Sequence, residues 1–149
     1  MDAPLSSRLP GTWRLQSRVD VTRDGRTHPD PALGSDPVAL LIYDRAGHFS
    51  AQFMKRDRAS TQAAASAGSP TGANNSHAVN GYDAYFGTYS VGADSMVTQT
   101  LEGALSAVDV GKVVTRRFRI AGSELTIELE TTASDGQPVT RTLKWQRLA

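Results

Sequence analysis

The 149-residue chain has no cysteine. That one absence excludes a disulfide framework, thiolate zinc ligation and a cysteine nucleophile. Histidine is scarce too: His28, His48 and His77 occur in unrelated contexts. No HxH or HExxH spacing sets two of them on one face, so no metal site is expected. Charge of one sign is also lacking, with 16 Lys and Arg against 15 Asp and Glu, a formal +1. Such balance gives no general attraction to nucleic acid or anionic lipid. Arg116 and Arg117 fall on opposite faces of a strand, and Lys55, Arg56 and Arg58 are interrupted by Asp57, so neither group makes a nucleic-acid patch. No apolar run could span a bilayer, and "MDAPLSSRLP" lacks the basic flank and apolar core of a signal peptide. The expectation is a soluble cytoplasmic protein with neither membrane nor nucleic-acid partner. A Gly-x-Ser-x-Gly elbow and a glycine-rich phosphate cradle are missing as well, which removes serine-hydrolase and nucleotide chemistry. No cofactor is expected.

What the chain does have is alternation of period two. It predicts strands near 11–21, 38–44, 48–54, 84–91, 96–103, 113–120, 124–131 and 139–147. Between them lie tight-turn signals such as "RDGR" at 23–26, "DRAG" at 44–47, "AGSE" at 121–124 and "SDGQ" at 134–137. Short hairpin links forbid parallel crossovers, so the sheet is antiparallel and up-and-down. Eight strands left flat would expose two edges, which closure into a barrel removes. A β-sandwich would need longer crossing connections. The expected fold is therefore all-β: one eight-stranded antiparallel barrel domain over residues 1–149. Residues 55–83, rich in Ala, Ser, Gly and Asn, break the pattern. They read either as a mobile surface excursion, with a short helix around 60–67, or as a lid over the barrel mouth.

Face assignments follow from parity. In the first strand Trp13, Leu15, Ser17, Val19 and Val21 share one face, opposite Arg14, Gln16, Arg18 and Asp20, which are expected to be wet. Val114, Arg116, Phe118 and Ile120 form an inner face, as do Leu125, Ile127 and Leu129, and Val139, Arg141, Leu143, Trp145 and Arg147. Three arginines thus lie on apolar faces, and each needs a partner, a ligand or an exit to solvent. For strands two and three the plain reading buries Val38, Leu40, Ile42, Phe49, Ala51 and Phe53; the alternative turns His48, Ser50 and Gln52 inward. In strands four and five the favoured inner set is Tyr85, Tyr89, Val91, Met96, Thr98, Thr100 and Glu102.

Gly11-Thr12-Trp13 heading the first strand, with an arginine on the last, resembles the lipocalin and calycin arrangement. There the Trp closes one barrel end and the arginine packs over its ring. Arg147 is the matching residue, and a guanidinium on an indole face is favourable in its own right. The ordered words "GTWRL" (11–15), "LIYDRAGHFSAQFMKRDR" (41–58), "YDAYFGTYSV" (82–91), "RRFRIAGSELTIE" (116–128) and "TRTLKWQR" (140–147) are similar to the bacterial and fungal lipocalin-like domain proteins. The resemblance implies the barrel and an interior ligand. Members often carry histidine where this chain has Gln99 and Thr100, so no catalytic or metal role is carried over to that strand.

Three functional readings follow. In the first, the barrel binds a small hydrophobic or aromatic, carbonyl-bearing molecule, with Tyr89, Thr98, Thr100, Phe118, His48 and Gln52 as ligand contacts. Trp13 and Arg147, with Trp145 beside them, plug the other end. In the second, the same cavity holds a cofactor-free isomerase, cyclase or lyase. Glu102 would move the proton, its pKa set by burial against a nearby arginine, while Arg116, Arg141 and Tyr85 hold a carbonyl or enolate. Alternatively Glu102 is simply the ion-pair partner of Arg116 or Arg141. In the third, the barrel is packed solid and acts through its surface, including as a homodimer.

Overall fold

The computed structural model describes residues 3–28, 32–34, 36–57, 79–133 and 135–149. Eight strands follow in chain order: β1 (Gly11–Val21), β2 (Val38–Tyr43), β3 (His48–Met54), β4 (Tyr82–Val91), β5 (Met96–Ala104), β6 (Val113–Ala121), β7 (Glu124–Thr132) and β8 (Pro138–Arg147). Each pairs antiparallel with the next, and β8 returns to β1, so the barrel closes. The strands lie within two residues of the sequence prediction. Residues 58–78 of the proposed excursion, with its short helix and His77, fall outside the described residues, while its last two residues, Tyr82 and Asp83, begin β4.

One end is sealed from sequence-local parts. A single helical turn, α1 (Leu5–Arg8), leads into Gly11, whose φ of 146° only glycine adopts readily. A Cβ there would also lie 2.4 Å from Arg147 Nη1. Trp13 is fully buried, and its Nε1–H donates to the Leu9 carbonyl at 3.1 Å. The Arg147 guanidinium stands 4.2 Å from the Trp13 ring centroid and donates to the Pro10 carbonyl at 3.0 Å and to the Arg8 carbonyl. At the opposite end, beyond β1 and between β7 and β8, His28 Nε2 meets Asp135 Oδ2 at 2.7 Å.

Two irregularities correct the expected faces. Between Leu15 and Ser17, β1 advances two residues against one in β8, and this bulge turns the rest of the strand over. Trp13 and Leu15 therefore point inward as read, but so do Arg18 and Asp20, both buried, while Val19 is exposed. In β5 the extra residue is Glu102, since Phe86 faces Gly103 and Gly87 faces Leu101. Gly87 fits that close crossing because a Cβ would overlap the Thr100 carbonyl oxygen at 1.8 Å.

Hairpin register settles the remaining faces. Tyr43 pairs with Phe49 and Leu41 with Ala51, so Ala39, Leu41 and Tyr43 are buried and Val38 and Ile42 are exposed. The plain reading was right for Phe49, Ala51 and Phe53 and inverted for β2. Val91 pairs with Val97, which buries Val97, Gln99 and Leu101 beside Tyr85 and Tyr89. Met96, Thr98, Thr100 and Glu102 consequently do not face the core. The inner faces of β6, β7 and β8 match the prediction.

Candidate functional site

The bulge in β1 has a chemical consequence in the interior. It turns Asp20 toward Arg141, its register partner on β8. The two form a fork: Arg141 Nε donates to Asp20 Oδ1 at 2.7 Å and Nη2 to Oδ2 at 2.8 Å. Both side chains are almost wholly buried. A guanidinium in a barrel core is tolerable only when paired and hydrogen-bonded, and the planar fork matches a carboxylate with both bonds aligned. The partner is Asp20, not Glu102.

Beside this pair lies a cavity inside the barrel, with about 50 Å³ of open space. Its walls carry the rings of Tyr43, Phe53, Phe118 and Trp145 and the aliphatic chains of Leu41, Ile127, Leu129 and Leu143. Four polar side chains also line it: Tyr85, Gln99, Arg116 and Arg141. Phe53 stands edge-on to Trp145, with centroids 5.7 Å apart, and stacks on Tyr85 at 6.2 Å. The space is well below the roughly 300–1,000 Å³ of pockets for drug-sized ligands. All lining residues are buried except Tyr85 and Arg116, which are half-buried and so mark the mouth.

The polar groups are unevenly served. Gln99 Nε2 donates to the Tyr43 hydroxyl at 2.7 Å. Burial pushes the Tyr43 phenol well above its ordinary value, with Tyr85 and Tyr89 adding to the shift, so it stays neutral. Arg116 donates through Nη1 to the Thr115 carbonyl at 3.0 Å. Burial lowers the proton affinity of Arg116; Tyr85 opposes that shift and Arg141 adds to it. Trp145 differs from the rest: its Nε1–H is buried and has no acceptor among the described residues.

Of the residues anticipated for catalysis or binding, Tyr85, Arg116, Arg141 and Phe118 come together in this cavity. Tyr89 packs one layer away, edge-on to Tyr43 at 4.9 Å, and donates to the Asp44 carbonyl. Glu102 and His48 both line a shallow groove on the outer wall, with Asp44, Ser50 and Phe86. The β4–β5 register, which turns Val97, Gln99 and Leu101 inward, puts Glu102 there, and the β2–β3 register does the same for His48. Gln52 is exposed and accepts the Tyr82 hydroxyl. Thr98 bonds the Thr115 hydroxyl at 3.2 Å on the outside, and Thr100 shares that outer face. Trp145 lines the cavity rather than the plug.

Sequence reasoning did not single out Asp20, Tyr43 or Gln99. A signal for Asp20 was present: a buried arginine on β8 demands an acid from a neighbouring strand, and Asp20 is the carboxylate that β1 carries. Among the described residues no group of three or more His, Asp or Glu side chains could hold a metal. Among them, too, no helix is long and apolar enough to cross a membrane.

The closed barrel, the Trp13–Arg147 contact and the interior cavity can now be set beside known proteins. No curated protein matches the chain. The pattern of the lipocalin-like domain matches residues 10–148, nearly the whole sequence, and the chain belongs to that family.

Proposed function

We propose that the barrel binds one small, planar molecule bearing a carbonyl or carboxylate acceptor, its body against Phe53, Phe118 and Trp145. Membership of the lipocalin-like family supports small-molecule binding in general. The finer reading rests on one observation: the buried Trp145 Nε1–H, on the lining of this cavity, has no acceptor among the described residues. A buried donor left unmade costs about 1–3 kcal/mol, which a ligand oxygen would recover. The rings supply flat apolar walls, and the donors select for an acceptor-bearing guest.

Acid–base catalysis in this cavity is less well supported. It rested on Glu102, which lies outside, and Asp20 is engaged by Arg141. Among the described residues the cavity lining therefore carries no carboxylate to move a proton. A second reading places function on the outer wall, where Phe86 and Val113 are 55% and 62% exposed. Self-association of the chain would then follow.

Native mass spectrometry of the protein as purified separates the two. Binding predicts a monomer carrying a small-molecule mass that is lost on denaturation. Bare protein that dimerises through a surface weakened by Phe86→Ser would favour the outer wall.

A further inference from the structure

Resting on that reading, we infer that the interior admits only a guest of about four non-hydrogen atoms, a small aliphatic ketone, aldehyde or amide, and excludes aromatic rings. Size comes first. A cavity needs roughly 10–15 Å³ to hold one water, so the 50 Å³ of open space takes about three to five of them. A methyl or a carbonyl group fills much the same room as a water molecule. The same space is about a third of the roughly 150 Å³ that accepts a benzene ring.

The walls hold that size. Ring contacts run without a break through and behind the lining: Phe118 on Tyr43, Tyr43 on Phe49, Phe49 on Tyr85, Tyr85 on Phe53 and Phe53 on Trp145, with centroids 5.7–6.2 Å apart. A ring in such a chain moves only with its neighbours. Tyr43 is also tied to Gln99, and Arg141 to Asp20. The strands behind them close into a barrel, so no sheet edge can part to widen the space.

The donors set the chemistry of the guest. Trp145 Nε1–H, buried on the lining, has no acceptor among the described residues. The Tyr43 oxygen accepts from Gln99, so the phenol keeps its own proton to give. A carbonyl oxygen can accept from either group, and small alkyl groups beside it suit the apolar walls.

The test is saturation-transfer NMR, read on the acetyl methyl signal of acetone and of acetophenone, in which a phenyl ring replaces one methyl. Wild type is compared with two variants that enlarge the cavity, Leu129→Ala and Leu143→Ala. An unrestricted apolar site would prefer acetophenone, which buries more apolar surface. The size limit predicts the reverse: acetone saturates wild type in the millimolar range, and acetophenone binds on the order of tenfold more weakly or not at all. Either enlarging variant should bring acetophenone to or above the affinity of acetone. Acetophenone binding wild type as tightly as acetone, or an order unchanged in both variants, would overturn the size limit while leaving cavity binding intact. If neither ketone binds wild type, the binding reading itself fails.

Discussion

Trp13 and Trp145 sit on neighbouring strands, within two residue pairs of each other, and are equally buried. Their surroundings are opposite. Trp13 has its N–H on a carbonyl and a guanidinium over its ring, and α1 leads into the strand that carries it. Trp145 packs edge-on to Phe53 in the apolar core, and among the described residues nothing accepts its N–H. One barrel end is closed with the Trp13 N–H and the Arg147 guanidinium both hydrogen-bonded. The interior above it keeps a donor open, in the way binding sites forgo local stability.

The largest predicted effect lies in the pair that walls the open region. Asp20→Asn should cost about 3–5 kcal/mol in urea unfolding, because Arg141 would remain as an uncompensated buried charge. The double variant Asp20→Leu/Arg141→Met should recover most of that loss, as apolar replacements of a buried pair commonly do. Next comes the direct contrast between the tryptophans. Trp13→Phe and Trp145→Phe delete the same atoms, but only the first strands the Leu9 carbonyl and uncovers Arg147. We predict Trp13→Phe to be the more destabilising by about 1–3 kcal/mol. Equal losses would dissolve the distinction between the two regions.

The smallest effect belongs to the exposed Asp135. The Gln137 backbone N–H, and after it His28, holds its carboxyl below the ordinary 3.8. Its contribution to stability is therefore complete above that value and is lost as pH falls through the lowered folded one. Asp135→Asn should lower neutral stability slightly and leave stability below the lowered pKa unchanged, so that the acid limb below about pH 4 is flattened from its neutral side. An unaltered acid limb would remove this carboxylate from the account.

How much of this was legible in the sequence depended on uninterrupted alternation. β4, β6 and β8 run without a bulge of their own, so Tyr85, Arg116, Phe118 and Arg141 could be placed on the inner face by counting. Turn residues at 44–47, 121–124 and 134–137 likewise marked the β2–β3, β6–β7 and β7–β8 hairpins. The bulges at Gln16 and Glu102 carry no residue-type signature, and one inserted residue inverts everything beyond it. That hid Asp20, whereas Glu102 was recruited with Met96, Thr98 and Thr100, whose face the Val91–Val97 register turns outward. β2, "VALLIY", is apolar on both faces, so hydrophobicity could not choose between them. Its orientation is set by the Tyr43–Phe49 register, a property of the turn rather than of the strand.

The most direct test uses the two indole N–H signals in a ¹H–¹⁵N correlation spectrum, assigned with Trp145→Phe. On titration with acetone the Trp145 signal should shift progressively, and the Trp13 signal, held on the Leu9 carbonyl, should stay in place. A stationary Trp145 signal at saturating ligand, or equal movement of both, would contradict the claim that the interior cavity is the binding site.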